Sequence, residues 1–467
     1  MAPEKYDVYQ PGGFKNEEGL LFRKRRFGAV LGFLTLLLTG CGGEIPRSCD
    51  WLASFPDSEM KRKVIVSCTP CHALGLPVAF RYDAKGWNEQ YVKMRKMDND
   101  LELRLIPFHD DMELPNWLGE HSQLPSHGFK IQTAKADIKE FPLGDVKGFY
   151  HDMALAGGRA WIADYFGNIL YGVNTETGEL EQYPIPADVE KGKPAGSHAI
   201  EADEEGNIWI CLTQAEQVVR FDTKAKTFKV YSGYPKGGKV QYFVLDKDRA
   251  IYHDKNGCFW TTHFSKEILC RTNPVTGKIT VFKVKHREGM EEEAIHLYAA
   301  VADSKGKLWF TETHGNRLGW LDPVTGKSDL LDIFVSWAGP KRLAIDDEDR
   351  LWIPQLSSGK ITLYDTKQGA VIRNLDVPIP GDYIYCIRRD KYTGNLWATG
   401  CGSDSLYRID PKTFQFSVFR LPRRGAYTRT MVFDGKGNVW TNYASIPNSQ
   451  TITPYQAGVV VRLSPKE

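Results

Sequence analysis

The sequence predicts a mainly β fold, a seven-bladed β-propeller preceded by a small all-α domain. Three observations predict it. A tryptophan recurs about every 46 residues through most of the chain, a glycine stands three residues before most of these tryptophans, and short apolar runs alternate with turn sequences. A repeat of this length that holds several short strands lies in the range of propeller blades.

The tryptophans and glycines define seven repeats. The repeat tryptophans are Trp161, Trp209, Trp260, Trp309, Trp352, Trp397 and Trp440, and the glycines are Gly158, Gly206, Gly257, Gly306, Gly394 and Gly437, with Asp349 in the fifth repeat. Each unit predicts four antiparallel strands, with the tryptophan in the second strand. A β-solenoid, whose repeats are usually much shorter, is the alternative.

The two ends of the repeat region predict how the ring closes. The last repeat stops after its third strand, at Leu463-Ser464-Pro465, and a matching fourth strand, 138–142, precedes the first repeat. An N-terminal strand that completes the last blade would remove two exposed sheet edges. The sequence therefore predicts a propeller over 129–467 that is closed by strand 138–142.

The first 41 residues predict an export signal. Arg23-Lys24-Arg25-Arg26 precedes an apolar run from Phe27 to Leu38, which is too short to span a bilayer. A basic segment followed by a short apolar segment is typical of secretory signals. The run ends at Leu38-Thr39-Gly40-Cys41, which resembles the lipobox of bacterial lipoproteins. This resemblance implies a lipid on Cys41 and a periplasmic protein, in a Gram-negative bacterium, whose only membrane contact is the lipid anchor; cleavage to a soluble periplasmic protein is the alternative.

The overall charge excludes some partners. The 467 residues carry a formal net charge of +2, which provides no bulk electrostatic attraction for nucleic acid or for an anionic membrane surface. The 12 Trp, 43 Gly and 25 Pro residues again favour β-structure with many turns.

Between the signal and the repeats, Cys68-Thr69-Pro70-Cys71-His72 has the C-x-x-C-H spacing of covalent haem attachment. In this interpretation Cys68 and Cys71 bind one haem c and His72 is the proximal iron ligand. A zinc half-site would need a second Cys/His pair at finger spacing, and none follows. The sequence therefore predicts a helical cytochrome c-like domain over 45–128.

The sixth iron ligand is predicted less directly. The segment from Trp87 to Met94 resembles a tryptophan-to-methionine segment of some c-type domains that accompany periplasmic oxidoreductases, and this resemblance implies Met94. Other donors stay open, namely Met97, Met112, His109 and His121.

Six further cysteines are left. Cys258 and Cys270 flank one predicted hairpin, and Cys386 and Cys401 flank another, so each pair could form a disulfide in an oxidising compartment. Six buried free thiols, with Cys49 and Cys211 among them, are the alternative.

Side chains at one end of the blades predict a ligand site. Counting back 10 to 12 residues from each repeat tryptophan gives the first ring: His151, His198, Arg249, Tyr298, Lys341, Tyr385 and Arg429. Counting forward by three gives the second: Asp164, Leu212, His263, Glu312, Gln355, Gly400 and Tyr443. Polar groups at a channel mouth are costly to bury unpaired, so they favour a polar ligand, and the basic first ring favours a small anionic or oxygen-rich one. A solvated rim with no ligand is the alternative.

The repeats, above all Gly306-Lys307-Leu308-Trp309-Phe310-Thr311-Glu312-Thr313-His314-Gly315, resemble the virginiamycin B lyase (streptogramin lyase) family. The resemblance implies a seven-bladed propeller that opens an ester ring by elimination, with a histidine base, glutamates and Mg²⁺. It places Glu312 at a family glutamate. It also places Tyr298 where the family has its histidine and His296 where the family has a second glutamate, so the base position has changed.

Three functions follow from these features. The first, which we favour from the sequence, is a periplasmic haem c oxidoreductase or electron-transfer protein with an electron-transfer partner. The second is a streptogramin-lyase-like C–O lyase that uses Glu312, His296 and Tyr298, with Mg²⁺. The third is a non-enzymatic propeller that binds a protein partner, since fold alone does not specify chemistry.

Overall fold

The computed structural model describes residues 47–69, 73–74, 78, 81–100, 112–122, 131–143, 148–248, 250–285, 296–444 and 458–466. The chain divides into two compact units, Met1–Ile45 and Pro46–Glu467, and all described residues belong to the second. The predicted export signal and Cys41 lie outside the described residues. In the part of the chain that is described, no helix is long and apolar enough to cross a membrane.

The predicted mainly β, propeller fold is confirmed. The described strands form seven sets of four, which we number as blades 1 to 7. Blades 1 to 3 hold β2 (Tyr150–Ala156), β3 (Arg159–Asp164), β4 (Ile169–Asn174) and β5 (Leu180–Pro184); β6 (Ser197–Ala202), β7 (Ile208–Leu212), β8 (Gln217–Asp222) and β9 (Thr227–Tyr231); β10 (Val240–Leu245), β11 (Phe259–His263), β12 (Ile268–Thr272) and β13 (Ile279–Lys283).

Blades 4 to 6 follow the same plan. They hold β14 (Leu297–Ala302), β15 (Leu308–Glu312), β16 (Arg317–Leu321) and β17 (Ser328–Leu331); β18 (Ala344–Ile345), β19 (Arg350–Gln355), β20 (Lys360–Asp365) and β21 (Ala370–Asp376); β22 (Ile384–Arg389), β23 (Leu396–Gly400), β24 (Ser405–Ile409) and β25 (Phe416–Arg420). The first strand of each blade is the innermost, and neighbouring inner strands such as β10 and β14 touch in parallel.

Blade 7 is built from both ends of the propeller. It holds β26 (Val432–Phe433), β27 (Val439–Asn442), β28 (Val459–Pro465) and, as its outer strand, β1 (Ala136–Pro142). β1 and β28 are antiparallel over seven residue pairs, from Ala136 with Pro465 to Pro142 with Val459. Phe141 is buried and stacks on Trp440, with 5.5 Å between ring centroids. The first strand after the helical segment therefore completes the last sheet.

A turn aspartate explains why a tryptophan marks the second strand. In five blades the indole N–H donates to an aspartate six residues earlier, for example Trp309 Nε1 to Asp303 Oδ2 at 3.0 Å. The same carboxylate accepts backbone N–H groups in the turn that holds the repeat glycine. Gly306 in this turn has φ of +79°, which favours glycine. In blade 6 the turn is one residue longer and Asp390 lies seven residues before Trp397, whose Nε1 has no hydrogen-bond partner among the described residues.

We expect the aspartate of this turn to contribute more to the free energy of unfolding than the aspartate of an ordinary surface turn. Asp303→Ala should lower the free energy of unfolding by about 1–3 kcal/mol, because it leaves the buried indole N–H of Trp309 without an acceptor. Asp410→Ala is the matched control, since Asp410 accepts only exposed turn amides, and it should cost less than about 1 kcal/mol. Urea unfolding of both variants measures the difference, and equal costs would contradict this role of the carboxylate.

Four helices lie in the described part of the chain before the propeller. They are α1 (Ser48–Leu52), α2 (Glu59–Cys68), α3 (Ala84–Asp100) and α4 (Glu113–His121). Ser58 caps α2, because its side chain accepts the backbone N–H of Lys61 at 3.2 Å. Val64 and Ile65 of α2 pack in the same buried cluster as Trp87 of α3 and Leu118 of α4.

The helices α1 and α2 contact loops at one end of blades 5 and 6, namely the loops before their inner strands and the loop between β23 and β24. Cys49 N donates to Gly402 O at 3.0 Å, and Tyr383 Oη donates to Ser48 Oγ at 3.1 Å. A Cβ on Gly339 would lie only 2.9 Å from Val66 Cγ2, so the helix approaches this loop closely. The helical segment therefore covers part of the channel end at which the inner strands of blades 5 and 6 begin.

The described cysteines are free thiols. Cys49, Cys68, Cys211, Cys258, Cys270, Cys386 and Cys401 are all buried, and none forms a disulfide. The hairpin pairs that the sequence suggested are therefore not bonded in this structure.

Candidate active site at the channel mouth

A repeated backbone irregularity positions one side chain per blade at the channel mouth. The pairing of the inner strand shifts between its first and fourth residue in β2, β6, β10, β14 and β22, and the second residue turns toward the channel. Lys341 follows Pro340, whose bridge to Gln355 corresponds to the first pair of the other blades. The resulting ring, which we call the channel ring, contains His151, His198, Gln241, Tyr298, Lys341, Tyr385 and Arg429.

Contacts between the ring residues form one polar cluster. The imidazoles of His151 and His198 stack at 3.7 Å between centroids, and His151 Nε2 lies 3.1 Å from Tyr385 Oη. Gln241 Nε2 lies 2.8 Å from His198 Nε2. The hydroxyls of Tyr298 and Tyr385 are in hydrogen-bond contact.

Six of the seven side chains in the channel ring were predicted from the sequence, but blade 3 differs. Arg249 lies outside the described residues, and Gln241 occupies the ring position. Gln241 lies 19 residues before Trp260, against 10 to 12 residues in the other blades. The extra residues form a loop with bridges Leu245–Ile251 and His253–Phe259. The signal that identifies Gln241 is the run Val240-Gln241-Tyr242-Phe243 itself, which has the apolar pattern of an inner strand.

Burial sets the protonation of the channel ring. It lowers the pKa of His151 and of His198 well below the usual value, aided by neighbouring cations. It raises the pKa of Tyr298 well above 10, so the phenol keeps its proton. Burial, together with Arg429, lowers the pKa of Lys341 to about 7.

Beneath the ring lies a buried ion network that spans the channel. Arg342 Nη1 lies 2.5 Å from Asp152 Oδ1, and Arg342 Nη2 lies 3.7 Å from Glu201 Oε1. Arg388 Nη2 donates to Glu201 Oε1 at 2.6 Å. These four residues come from blades 5, 1, 2 and 6, so the network links opposite sides of the propeller.

The second set of predicted residues lies at the ends of the second strands. Its members differ in whether their side chains have hydrogen-bond partners. Asp164 accepts the backbone N–H groups of Phe149 and Phe166, and so holds a loop. His263 lies 3.3 Å from Thr261 Oγ1, and burial lowers its pKa to about 3. These two side chains have structural partners, whereas Glu312 Oε1 is buried with no hydrogen-bond partner among the described residues.

Glu312 is the last residue of β15 in blade 4 and is near His296 in the fold, and we call these two residues, with Phe264 and His314, the Glu312 pocket. Glu312 is opposite Leu297 in the antiparallel register of β14 and β15. The next residue, Thr313, donates its N–H to His296 O at 3.0 Å. The His296 ring stacks on Phe264 at 3.7 Å and lies 4.0 Å from the His314 ring. His296 has φ of +56°, a strained conformation for a non-glycine residue.

The surroundings of Glu312 keep it protonated. Its side chain is 1% exposed, and burial is the largest influence on a pKa that is raised to about 8. Arg317 opposes this rise, while Glu267 and Asp332 add to it. At pH 7 most Glu312 side chains therefore carry a proton and can donate a hydrogen bond.

The residues do not fit the magnesium ion that the family resemblance implied. No group of three or more His, Cys, Asp or Glu side chains in the described ranges could hold a metal ion. The protonated Glu312 is also a poor ligand for a hard cation, which prefers ionised carboxylates.

Of the residues predicted to hold haem, the structure describes Cys68, Met94, Met112 and His121. Cys68 is 6% exposed, and it packs in the helical cluster with Val64 and Leu118, where burial raises the pKa of its thiol to about 12. Cys71, His72, His109 and the side chain of Met97 lie outside the described residues. Met94 is half-buried on α3, and Met112, before α4, is 42% exposed. The His121 ring stacks on Trp117 at 4.1 Å and its Nδ1 lies 2.7 Å from Trp117 O.

Comparison with known proteins relates the chain to lyase and lactonase propellers. The family model described as the virginiamycin B lyase family matches residues 236–446. Among curated proteins, lactonase drp35 of Staphylococcus aureus strain MRSA252 is 25% identical over 237 residues, which cover 47% of this chain and 67% of the lactonase. The lactonase of strain MW2 is 24% identical over 236 residues, with the same coverage.

Solved structures show the same fold. Selenomethionine-substituted virginiamycin B lyase from Staphylococcus aureus superposes with a TM-score of 0.58 at 18% identity, over 71% of this chain and 100% of that one. A streptogramin B lyase structure has a TM-score of 0.58 at 18% identity, over 71% of this chain and 98% of that one. The WD40 repeats of RRP9 superpose with a TM-score of 0.54 at 8% identity, over 72% and 100% of the two chains.

These findings correct the prediction of a haem c electron-transfer protein. The proteins that this chain resembles are a lyase family and lactonases, and the described residues contain no cluster of metal ligands. The C-x-x-C-H spacing was therefore misinterpreted: Cys68 serves as a packing residue at the end of α2. The expected haem, iron and electron-transfer partner are withdrawn with it. The chain has a virginiamycin B lyase-like β-propeller fold.

Proposed function

We propose that this protein cleaves the C–O bond of a cyclic ester at the channel mouth of blades 3 and 4. The observation that carries the proposal is Glu312, a buried carboxyl that holds its proton near neutral pH and has one oxygen without a hydrogen-bond partner among the described residues. The segment matched by the lyase family, 236–446, includes Glu312, His296, Tyr298 and Phe264.

Elimination is the reaction that these groups support best. A base removes a proton from the carbon next to the one that bears the ester oxygen. The electron pair forms a carbon–carbon double bond, and the ester oxygen leaves as a carboxylate. The protonated Glu312 would donate a hydrogen bond to the ester carbonyl, where negative charge develops. An acid held in a dry pocket performs this role without ionising.

The base would be His296. The family resemblance implies a histidine at the position of Tyr298. The raised pKa of the Tyr298 phenol keeps its proton in place at neutral pH, so Tyr298 is a poor base. His296 lies two residues away, and its ring stacks on Phe264, which also contacts the Tyr298 ring at 6.0 Å. Tyr298 would then orient substrate, so the roles of the two family positions are exchanged in this chain.

Lactone hydrolysis is the second candidate, because the curated relatives are lactonases. The two reactions differ in their products. Elimination leaves a product of the same mass that contains a new double bond, whereas hydrolysis adds one water. Mass spectrometry of the opened product separates them.

Glu312→Leu tests the proposed site. Leucine has about the size of the carboxyl side chain but no hydrogen-bond donor, and removal of one such donor typically costs about 10²–10³-fold in rate. We therefore expect kcat/KM for ring opening to fall by at least about 100-fold. The panel of substrates tested should contain a cyclic depsipeptide and a simple γ-lactone.

Glu179→Gln is the control, because the Glu179 carboxylate is on the outer surface, where its side chain is 71% exposed. It should leave ring opening unchanged. Wild-type activity in Glu312→Leu would remove Glu312 from the mechanism, and an inactive wild type across all tested substrates would count against cyclic-ester cleavage itself.

The cellular location belongs to the same proposal. The basic and apolar segments of 23–41 support export, with Cys41 as the lipid-bearing residue.

A further inference from the structure

The amine of Lys341 has no acidic partner among the described residues, unlike the two buried arginines beneath the channel ring. Arg342 and Arg388 are matched by Asp152 and Glu201. Lys341 is 6% exposed, and in the described structure its contacts are two aromatic faces, with Nζ 4.2 Å from the Tyr298 ring centroid and 5.5 Å from that of Tyr385. Among the described residues it makes no ion pair and no side-chain hydrogen bond.

An ammonium buried without a counter-ion is costly, and proteins normally pair it. A cation–π contact recovers only part of this cost. The same cost appears in the pKa of Lys341, which burial lowers to about 7 because the charged amine is poorly solvated. An anion beside Nζ would restore the full charge, and the part of the chain that the structure describes does not supply one.

The neighbours of Lys341 indicate the class of anion. The guanidinium of Arg429 lies 5.4 Å from the Tyr385 ring centroid, so a second cation borders the same ring. The Tyr385 hydroxyl and His151 Nε2, 3.1 Å apart, are neutral hydrogen-bonding groups. Phe149 and Tyr427 lie under the Arg429 guanidinium and add apolar walls. Two cations, neutral donors and flat apolar walls suit a carboxylate on a planar or apolar body.

We propose that Lys341, with Arg429 and Tyr385, forms a binding site for a small organic carboxylate at the channel ring. The site borders the Glu312 pocket, because Lys341 Nζ lies 4.2 Å from the ring centroid of Tyr298, but it includes neither Glu312 nor His296 and does not depend on the proposed reaction. A cyclic-ester substrate or an opened product that carries a carboxylate would be one source of the ligand, and a separate carboxylate effector would be another.

The test uses benzoate as the probe and benzamide as its neutral isostere. At pH 6.5 and constant ionic strength, benzoate should raise the melting temperature in a concentration-dependent manner, whereas benzamide should not. In Lys341→Met the benzoate Kd should rise at least about tenfold, because truncating one partner of a buried charge pair is costly. Lys307→Met is the matched control, since Lys307 also lies over aromatic rings, 4.1 Å from Trp320, but on the outer surface; its benzoate Kd should not change.

A second measurement keeps the test valid if Lys341→Met does not fold. In the wild-type protein, benzoate affinity should weaken as pH rises from 6 to 9, because the amine loses its proton over this range. Equal stabilisation by benzoate and benzamide, a pH-independent Kd, or an unchanged Kd in folded Lys341→Met would each overturn the proposal. Parallel measurements with phosphate test the commitment to carboxylate, which equal phosphate affinity would also overturn. Wild-type ring opening in the presence of the substrate panel, with and without benzoate, shows whether the substrate occupies this site or the ligand is a separate effector.

Discussion

Glu201→Leu should lower the free energy of unfolding by about 3–5 kcal/mol, because it breaks the ion network under the channel ring. Glu201 is 4% exposed and accepts from Arg388 at 2.6 Å, while Arg342 lies 3.7 Å away. Leucine leaves both guanidinium groups buried with one carboxylate between them. Urea unfolding with a linear extrapolation measures the loss.

Two further variants separate the network from simple packing. Glu201→Leu combined with Arg388→Met removes one acid and one base together, and apolar replacement of a buried pair is often neutral or stabilising, so most of the loss should be recovered. Glu205→Leu removes a carboxylate that is 78% exposed and has only surface partners, Arg220 and Asn207, and it should change stability by less than about 0.5 kcal/mol. A double variant as unstable as the single one would show that Glu201 acts through packing.

The position of this network gives it a role beyond stability. Its four residues belong to blades 1, 2, 5 and 6, and they lie directly beneath the side chains of the channel ring. Asp152 follows His151 in the chain, and Arg342 follows Lys341. A pair that holds Asp152 to Arg342 across the channel therefore also sets the separation of His151 and Lys341. We infer that the network positions the ring by fixing the inner strands.

Much of the propeller could be predicted from the sequence because its signal is repeated. One tryptophan with its turn glycine is weak evidence, but seven tryptophans recur in register, and in five blades a turn aspartate accepts the indole N–H. The channel ring followed by counting from these tryptophans wherever the inner hairpin had its usual length. Counting failed in blade 3, where a longer connection moves the ring position to Gln241.

The ion network and the Glu312 pocket were beyond sequence reasoning for a different reason. Arg342, Arg388, Asp152 and Glu201 are far apart in the chain, and a charged residue on a strand is usually exposed, so nothing local marks these four as buried partners. The raised pKa of Glu312 depends on burial and on Arg317, Glu267 and Asp332, which belong to other strands and loops. Only the assembled blades bring these groups together.

The haem prediction failed because a short motif was taken without its surroundings. The spacing of Cys68, Cys71 and His72 is compatible with covalent attachment, but spacing does not say where a thiol points. Cys68 is the last residue of α2, with its sulfur side toward Val64 and Leu118, and this packing role leaves no trace in the five-residue pattern. The repeat carried information from over 300 residues and was the more dependable guide.

The stability of the wild-type protein should fall relative to that of Glu312→Gln as the pH rises from about 4.5 to about 8. In the unfolded chain Glu312 has the ordinary pKa of 4.5, whereas in the folded protein burial raises it to about 8. Between these values the folded state binds more protons than the unfolded state, so its stability decreases with rising pH. The stabilising effect of the buried neutral carboxyl is fully present at pH values below the pKa of the unfolded state. It is lost as the pH rises through the pKa of the folded state. A shift of this size corresponds to roughly 5 kcal/mol at most across the window.

Lys341 should act in the opposite direction and in a higher window. Its pKa falls from 10.5 in the unfolded chain to about 7 in the folded protein, so the unfolded state binds more protons between these values and stability rises with pH. Urea unfolding at half-unit steps from pH 4.5 to 10.5 should therefore show that Glu312→Gln flattens the lower window and leaves the upper one unchanged. Lys341→Met should do the reverse. Because the two side chains belong to different blades and share no described hydrogen bond or ion pair, their effects should add in the double variant. A Glu312→Gln profile parallel to that of the wild type below pH 8 would mean that Glu312 is ionised in the folded protein, which would remove the acid from the proposed elimination.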